Sequence, residues 1–315
     1  MKKITVADLV RKFSLKVLAG ENKLQKTITQ PRVHRPGLEF VGHFDFFPTE
    51  RIQILGKKEI NYLHKLGKEE RKIRIGNIVQ YHPPCFIGTA GKEGLTYLTQ
   101  YCTEERIPLL ITNRPEVTSD FITKLDAYMV KELAPELSVH GVCVNVFGVG
   151  ILLRGNSGVG KSETAHTLIG RGHRLVADDI VVLKKLSPQT LLGTYEEKTK
   201  EFLALRSIGL LNVVRLYGQK SFQSETRISL DINLTKWQKD DLNNQLEHEP
   251  KFIEYMGVKI PSIEIQLHPG RDVAGLIEAA ANNWYLKQQG YSAAEEFISR
   301  IEAELLDSNE EYIGQ

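Results

Sequence analysis

The sequence predicts an α/β protein of two domains, an amino-terminal α/β domain at residues 1–133 and a carboxy-terminal domain at residues 134–315. Three observations predict this class. Apolar strand-like runs alternate with helical patterns, a phosphate-binding loop follows one of the strands, and Pro135 ends the last helix of the first half. The carboxy-terminal domain is expected to combine this P-loop with a mixed sheet and two terminal helices.

The amino-terminal half alternates strands and helices, which is typical of an α/β layer. Apolar residues recur at helical spacing or in short β-branched runs between glycine and proline breaks. Helices are predicted at 4–18, 58–66, 95–102 and from 119 to about 133, and strands at 27–34, 51–55, 85–87 and 108–112. No arrangement of residues in this half indicates a chemistry, so its expected role is assembly or an unassigned ligand site.

The carboxy-terminal half begins with apolar runs between Val142 and Leu153 that predict strands. A helix is expected at Glu163–Ile169, ending at Gly170 or Gly172. A strand at Arg174–Ala177 is expected to end in Asp178 and Asp179 and to continue beyond them. Further strands are predicted at 228–234 and 260–267, and the two terminal helices at roughly 273–289 and 293–306.

Composition excludes several classes of protein. The 315 residues carry a net charge of +2, which gives no charge argument for binding nucleic acid or an anionic membrane. No apolar run is long enough to span a bilayer, and the first residues lack the apolar core of a signal peptide. Cys85, Cys102 and Cys143 are far apart and lack metal-ligand spacing. A cytoplasmic protein with reduced core thiols is the expectation.

The strongest motif is the phosphate-binding loop, which reads G-x-x-x-x-G-K-S. A chance match in a chain of this length has a probability of about 1%. Glycines allow the backbone N–H groups to converge on an anion, Lys161 is expected to reach the β- and γ-phosphates, and the Ser162 hydroxyl is a suitable Mg²⁺ ligand. The loop comprises Gly155, Asn156, Ser157, Gly158, Val159, Gly160, Lys161 and Ser162.

Phosphoryl transfer also needs a metal, a base and a cation near the phosphates. Asp178 and Asp179 are expected as adjacent residues at the end of a strand, so that one faces the site and the other an N–H group or water, and a helix cap or turn pair is the alternative interpretation. Arg206 lies in an apolar run, and we expect a buried guanidinium with either a core ion pair or a bound phosphate as its partner. His140 precedes the first strand, and either a structural or a catalytic role is open to it.

The motifs together resemble the bacterial HPr kinase/phosphorylase family across nearly the whole chain. The P-loop followed by R-G-H-R-L-V-A-D-D is specific to that family. The resemblance is carried by Arg35-Pro36-Gly37-Leu38-Glu39, 51–56, His140-Gly141-Val142, 148–152, the P-loop, 171–179 and Pro269-Gly270-Arg271. It implies a P-loop kinase domain that phosphorylates a serine of the phosphocarrier protein HPr with ATP or pyrophosphate. It further implies dephosphorylation by inorganic phosphate, a Mg²⁺ requirement, a homohexamer and control of carbon source choice.

The resemblance also assigns roles to residues. His140, Lys161 and Asp179 match the family's active positions, with Asp179 as acceptor of the serine proton, and Ser162 matches a metal ligand. The loop tied to dephosphorylation is Gln266, Leu267, His268, Pro269, Gly270 and Arg271, although a plain turn is an alternative reading of its last four residues.

Two positions depart from the family's pattern. Ala204 occupies the place of the second metal-binding Glu, and Gln245 the place of a catalytic Arg. A methyl group cannot hold Mg²⁺, and a neutral amide cannot offset phosphoryl charge. Three hypotheses therefore remain open: an active HPr kinase/phosphorylase, a nucleotide-binding regulatory paralogue with little catalysis, and a P-loop kinase with another substrate.

Overall fold

The computed structural model describes residues 3–236, 251–268 and 270–302. The chain divides into two compact units, Met1–Pro135 and Glu136–Gln315. Among the described residues, no helix is both long and apolar enough to cross a membrane.

Unit 1 is a small sheet covered by helices on both faces. Strands β4, β5 and β6 are parallel, and β2 joins β6 in the antiparallel sense. The strands are β1 (Ile4–Thr5), β2 (Lys16–Ala19), β3 (Thr27–Ile28), β4 (Gln53–Leu55), β5 (Phe86–Gly88) and β6 (Leu109–Ile111). The helices are α1 (Val6–Phe13), α2 (Lys57–Lys65), α3 (Lys68–Val79), α4 (Thr96–Glu104) and α5 (Thr118–Glu132).

Alternation along the strands of unit 1 builds two apolar cores. Leu55 and Phe86 pack with α2, α3 and α4, whereas Ile54 and Ile87 point to the opposite face and pack with α1 and α5. The strand expected at 27–34 is only two residues long, because the chain after Ile28 leaves the ladder with β1. Both faces of the sheet are therefore buried, as is usual for parallel strands.

Unit 2 contains a mixed sheet in the order β10-β8-β9-β15-β12-β11-β7, with β17 also paired to β15 and β16 to β17. The strands on its amino-terminal side are β7 (Glu136–His140), β8 (Val142–Val146), β9 (Val149–Gly155), β10 (Arg174–Ala177), β11 (Ile180–Ser187) and β12 (Thr190–Tyr195). A hairpin follows, formed by β13 (Phe202–Leu205) and β14 (Gly209–Asn212). The remaining strands are β15 (Glu225–Lys236), β16 (Lys251–Tyr255) and β17 (Val258–Leu267).

The helices of unit 2 are α6 (Lys161–Gly170), α7 (Val213–Tyr217), α8 (Val273–Gln288) and a last helix, α9, described over 293–302. Helix α6 buries Ala165, Leu168 and Ile169 against the sheet, together with Ile277 of α8. Each fully buried aliphatic side chain of this kind stabilises the fold by about 1.5–3 kcal/mol. The mixed sheet and the two terminal helices expected from the sequence are confirmed.

Strand directions in unit 2 bring several chain ends to one edge of the sheet. Strands β9 and β10 are both antiparallel to β8, so they run in the same direction. Strand β15 is parallel to both β9 and β17. The carboxyl ends of β9, β10, β15 and β17 therefore face the same edge, where side chains that are remote in sequence can meet.

Candidate active site

The phosphate-binding loop connects the end of β9 to the start of α6. Gly155 has φ +137°, and a Cβ atom there would lie 2.3 Å from the carbonyl oxygen of Leu234 on β15, so only glycine fits. Gly160 has φ +107° and directly precedes the first helical residue, Lys161. The loop therefore leads into the positive end of a ten-residue helix, an arrangement that favours a bound phosphate.

Lys161 is buried, and its ammonium group lies inside the loop. The Nζ atom donates to the carbonyl oxygens of Gly155 at 2.9 Å and of Asn156 at 3.2 Å. Carbonyl acceptors do not neutralise the ammonium charge, so the loop keeps a net positive centre for phosphate oxygens.

Asp178 and Ser162 form the polar pair at the foot of the loop. The Ser162 hydroxyl donates to Asp178 Oδ1 at 2.9 Å, and the Ala204 backbone N–H donates to Oδ2 at 2.8 Å. Burial raises the pKa of the Asp178 carboxyl above its usual value, although hydrogen bonds from Ala204 and Ser162 lower it in part. A cation near this carboxylate would offset the cost of its burial.

The donor set at this point fits Mg²⁺. Mg²⁺ in phosphoryl-transfer sites is commonly held by a hydroxyl, one or two carboxylates, phosphate oxygens and water. Ser162 and Asp178 supply a hydroxyl and a carboxylate on adjoining elements. Within the described ranges, no group of three or more His, Cys, Asp or Glu side chains could hold a metal ion. Ser162 and Asp178 would supply two ligands, and phosphate oxygens and water are the usual source of the others.

Asp179 differs sharply from its neighbour. Its side chain is 65% exposed and lies 3.0 Å from His140 Nδ1, measured to Oδ1. The expected continuous strand through both aspartates is wrong, because β10 ends at Ala177 and Asp179 has φ +68°, which turns the chain into β11. This turn, and not strand alternation, separates the buried carboxylate from the exposed one.

His140 is held beside Asp179 by the sheet. His140 pairs with Ile180 in the β7–β11 ladder, and the Gly141 N–H donates to the Asp179 carbonyl oxygen at 3.0 Å. The backbone therefore fixes the positions of both residues, while their side chains remain exposed to solvent.

Arg206 is exposed, so the expectation of a buried guanidinium in an apolar run is wrong. Leu203 and Leu205 fill the inner face of β13, and Arg206 follows them in the turn of the hairpin. Its Nη2 atom donates to Ser157 Oγ at 3.3 Å, and a Cβ atom on Gly158 would lie 2.4 Å from Nη1. The guanidinium thus lies against the phosphate loop, so the predicted core ion pair is wrong, and the role of phosphate ligand stays a prediction.

Ala204 is also exposed and lies between the two buried leucines of β13. Its contribution to the site is the backbone N–H bonded to Asp178, since its methyl group offers no metal ligand. Gln245, the other departure from the family's pattern, lies outside the described residues.

The segment after β17 approaches the phosphate loop from the neighbouring strand. A Cβ atom on Gly160 would lie 3.9 Å from the Cδ1 atom of Leu267, the last residue of β17. Beyond it, the Arg271 N–H donates to the His268 carbonyl oxygen at 3.2 Å, and Gly270 has φ +81°. Pro269 lies outside the described residues. The predicted dephosphorylation loop therefore begins next to the P-loop.

Sequence reasoning missed a charged network next to the loop. Arg154 directly precedes Gly155, and its guanidinium makes two hydrogen bonds of 2.6 Å to Asp231. The available signal was a charged residue at the end of the apolar run 149–153 and an aspartate in the middle of the predicted strand 228–234. Neither residue belongs to a recognised motif, so the sequence alone predicted no role for them.

A P-loop, a hydroxyl–carboxylate pair at its foot and an exposed carboxylate–histidine pair define a P-loop phosphotransferase. Comparison with family models gives a narrower class. The model described as "HPr Serine kinase C-terminal domain" matches residues 131–301, and "HPr Serine kinase N terminus" matches residues 4–129. The chain therefore belongs to the HPr serine kinase family, and the resemblance found in the sequence is confirmed.

Similar proteins cover nearly the whole chain. A protein of Oceanobacillus iheyensis named "Putative HPr kinase/phosphorylase 2" is 69% identical over 302 residues, which cover 96% of this chain and 98% of that protein. The HPr kinase/phosphorylase of Bacillus subtilis is 34% identical over 311 residues, 99% of each chain. A solved structure of the Hpr(Ser) kinase/phosphatase from Coxiella burnetii aligns with a TM-score of 0.46 at 30% identity, covering 51% of this chain and 98% of the other.

Proposed function

We propose that this chain transfers a phosphoryl group from ATP or pyrophosphate to a serine of the phosphocarrier protein HPr, and returns it to inorganic phosphate. The observation that carries the proposal is the exposed Asp179–His140 pair at the same sheet edge as the P-loop. A phosphate site with an open acid–base pair beside it suits an incoming hydroxyl group.

In the forward direction, Asp179 accepts the serine proton while the serine oxygen forms its bond to the terminal phosphorus. The bond between that phosphorus and the bridging oxygen breaks, and the leaving ADP or phosphate stays with Lys161 and the N–H groups of the loop. His140, whose Nδ1 atom lies 3.0 Å from Asp179 Oδ1, orients the carboxylate. Arg206 adds a cation on the outer side of the loop.

In the reverse direction, an oxygen of inorganic phosphate attacks the phosphorus of phosphoserine. Pyrophosphate forms as the bond between that phosphorus and the serine oxygen breaks, and the serine oxygen takes back the proton from Asp179. Ser162 and Asp178 are the residues that would hold Mg²⁺, which neutralises phosphate charge when bound. Leu267 lies close to Gly160, which supports a role beside the acceptor phosphate for the loop that begins there.

The experiment compares wild-type protein with Lys161→Ala and with Lys220→Ala, an exposed lysine outside the site. Transfer of label from ATP to purified HPr with Mg²⁺ is measured, together with ATP affinity by calorimetry. We expect Lys161→Ala to lose ATP affinity and transfer, because the phosphates lose a charge and a donor, and Lys220→Ala to match wild type. Equal ATP affinity in Lys161→Ala and wild type would contradict the proposed phosphate site.

Ala204 supports a second candidate, a regulatory nucleotide-binding protein with weak transfer. Loss of one charge-stabilising group typically costs 10²–10³ in rate, while the loop that binds phosphate is intact. Ala204→Glu would place a carboxylate next to Asp178. A large gain in HPr phosphorylation with little change in ATP affinity would favour this candidate, whereas no gain over an already active wild type would favour a site rebuilt from residues such as Arg206.

We further propose that the chain is a homohexamer. The terminal helices expose apolar side chains that one chain leaves uncovered among the described residues, namely Tyr285, Leu286, Phe297, Ile298 and Ile301. Light scattering at micromolar concentration is expected to give an oligomer mass, and a monomer mass would contradict this proposal.

A further inference from the structure

A buried carboxylate outside the proposed catalytic set holds four hydrogen bonds. Asp231 on β15 is fully buried and accepts from Arg154 Nε and Nη2, both at 2.6 Å. It also accepts from the Tyr255 hydroxyl at 3.1 Å and from Ser262 Oγ at 2.8 Å. We refer to Asp231, Arg154, Tyr255 and Ser262 as the Asp231 network.

The Asp231 network joins the strands that carry the two loops of the site. Arg154 lies at the end of β9, directly before the P-loop, and Ser262 lies on β17, which ends at Leu267. Strand β15 lies between them and is parallel to both, with Asp231 paired to Leu152 on one side and to Ser262 on the other. One carboxylate therefore ties together the supports of the P-loop and of the segment 266–271.

The relative positions of the P-loop and of Leu267 depend on the spacing of strands β9, β15 and β17. Gly155 packs directly on the Leu234 carbonyl of β15, and Leu267 of β17 lies within van der Waals reach of a Cβ atom placed on Gly160. A displacement of β9 relative to β17 would therefore change the distance between the P-loop and the loop that borders the acceptor phosphate. Such a change affects phosphoryl transfer because reacting groups must be held within a few tenths of an ångström of their productive positions.

Stability alone does not account for the Asp231 network. Desolvation of a buried ion pair often offsets its Coulomb gain, and replacement by apolar residues of similar size is often neutral or stabilising. The Asp231 hydrogen bond raises the pKa of Arg154, and burial together with the Asp231 charge raises the pKa of Tyr255. Four directional hydrogen bonds thus constrain geometry across three adjacent strands and β16.

We propose that Arg154 and Asp231 are positioning residues that fix the P-loop relative to Leu267 at the end of β17 and thereby set the balance between serine phosphorylation and phosphorolysis. This inference rests on the proposed function. Arg154 and Asp231 act through the strands and touch no reacting atom in this assignment.

The test uses the double variant Arg154→Met with Asp231→Leu, which removes both charges and keeps similar volumes. Rates of HPr phosphorylation and of phosphoserine phosphorolysis are measured with the melting temperature. We expect an unchanged or higher melting temperature and a change in the ratio of the two rates of about tenfold, a common size for coupling between sites. Lys184→Met, which breaks the β7–β11 ion pair with Glu136, is the matched control and is expected to keep the wild-type ratio.

A ratio that stays within about twofold of wild type in the folded double variant, or two rates that fall in parallel, would overturn the positioning role. If the double variant does not fold, the same ratio of phosphorylation rate to phosphorolysis rate is measured in Asp231→Asn, which keeps the side-chain size and one acceptor oxygen. A wild-type ratio in folded Asp231→Asn would then contradict the positioning role.

A distance measurement separates this inference from the proposed function. Spin labels on Ser157→Cys and Arg271→Cys report the distance between the loops, and the three native cysteines are buried and therefore poorly labelled. We expect the distance distribution to shift or broaden when Arg154→Met and Asp231→Leu are added. An unchanged distribution would overturn the positioning role, and a wild type inactive in both directions would count against the proposed function only.

Discussion

Unit 1 and unit 2 each bury a carboxylate close to the end of a sheet strand, but the two carboxylates have different partners. In unit 1, Glu59 accepts from the Gly56 N–H at 2.8 Å and from Arg35 at 2.8 Å, and so caps the helix on which it lies. In unit 2, Asp178 accepts from Ser162 of the P-loop helix and from Ala204 of a separate hairpin.

A buried carboxylate is not by itself a site. Glu59 accepts hydrogen bonds from Gly56 and Arg35 of its own unit, and neither residue belongs to a phosphate-binding loop. Asp178 joins separate elements, and the next residue, Asp179, turns outward beside His140. The proposed function belongs to unit 2 because a buried carboxylate, an exposed carboxylate–histidine pair and the P-loop converge at one edge of its sheet.

The largest effect is expected from a comparison of the two adjacent aspartates. Asp179→Asn should lower HPr phosphorylation by about 10²–10⁴, because the acceptor of the serine proton is lost, while ATP affinity stays near wild type. Rates and calorimetric affinities check this prediction. If Asp179→Asn retains the wild-type rate, the general base is another residue.

Asp178→Asn is the matched variant, and its effect on stability has a defined sign. The pKa of Asp178 is raised above 3.8 in the fold, so the contribution of this carboxyl to the free energy of unfolding is greatest below that value and falls as pH rises through the raised pKa. Asp178→Asn should therefore keep or increase stability at pH 7 and lower the Mg²⁺ dependence of transfer. Thermal unfolding of wild type and Asp178→Asn at pH 4 and pH 7 measures how this carboxyl changes the pH dependence of stability. A large loss of stability in Asp178→Asn at pH 7 would contradict the prediction.

A smaller effect is expected from Arg206→Met. The guanidinium is exposed and lies against Ser157 and Gly158, so solvent screens part of its charge. We expect a loss of transfer rate of about tenfold to a hundredfold, less than for a buried transition-state donor. Arg215→Met is the control, since Arg215 is exposed and is bonded to Asn212 only through its backbone N–H among the described contacts. Equal rates for both variants would remove Arg206 from the site.

The smallest effect on catalysis is expected in unit 1. Glu59→Gln replaces one acceptor oxygen by a donor group that faces Arg35, and a buried donor left unsatisfied costs about 1–3 kcal/mol. Chemical denaturation should show this loss, while ATP affinity stays unchanged. Glu93→Gln, an exposed glutamate, should be neutral in both measurements. A loss of ATP affinity in folded Glu59→Gln would break the distinction drawn between the two carboxylates.

Local sequence determined the phosphate loop and the class of fold. The eight residues Gly155–Ser162 follow one another, so their spacing alone defines a loop that opens a helix. Strand and helix patterns predicted an α/β protein because period-2 and period-3.6 burial can be read from neighbouring residues. The family motifs added His140, Asp178 and Asp179 to the site for the same reason, as each lies in a short recognisable run.

Contacts between residues that are distant in sequence depend on the tertiary structure. Arg206 was expected to be buried, yet the turn of the β13–β14 hairpin carries it onto Ser157, 49 residues earlier in the chain. The positive φ angle of Asp179 separated the two aspartates, which a strand pattern could not anticipate. Arg154 and Asp231 are 77 residues apart and meet only because β9 and β15 are parallel neighbours in register. Strand order and register follow from the packing of the whole sheet, and no local run of sequence encodes them.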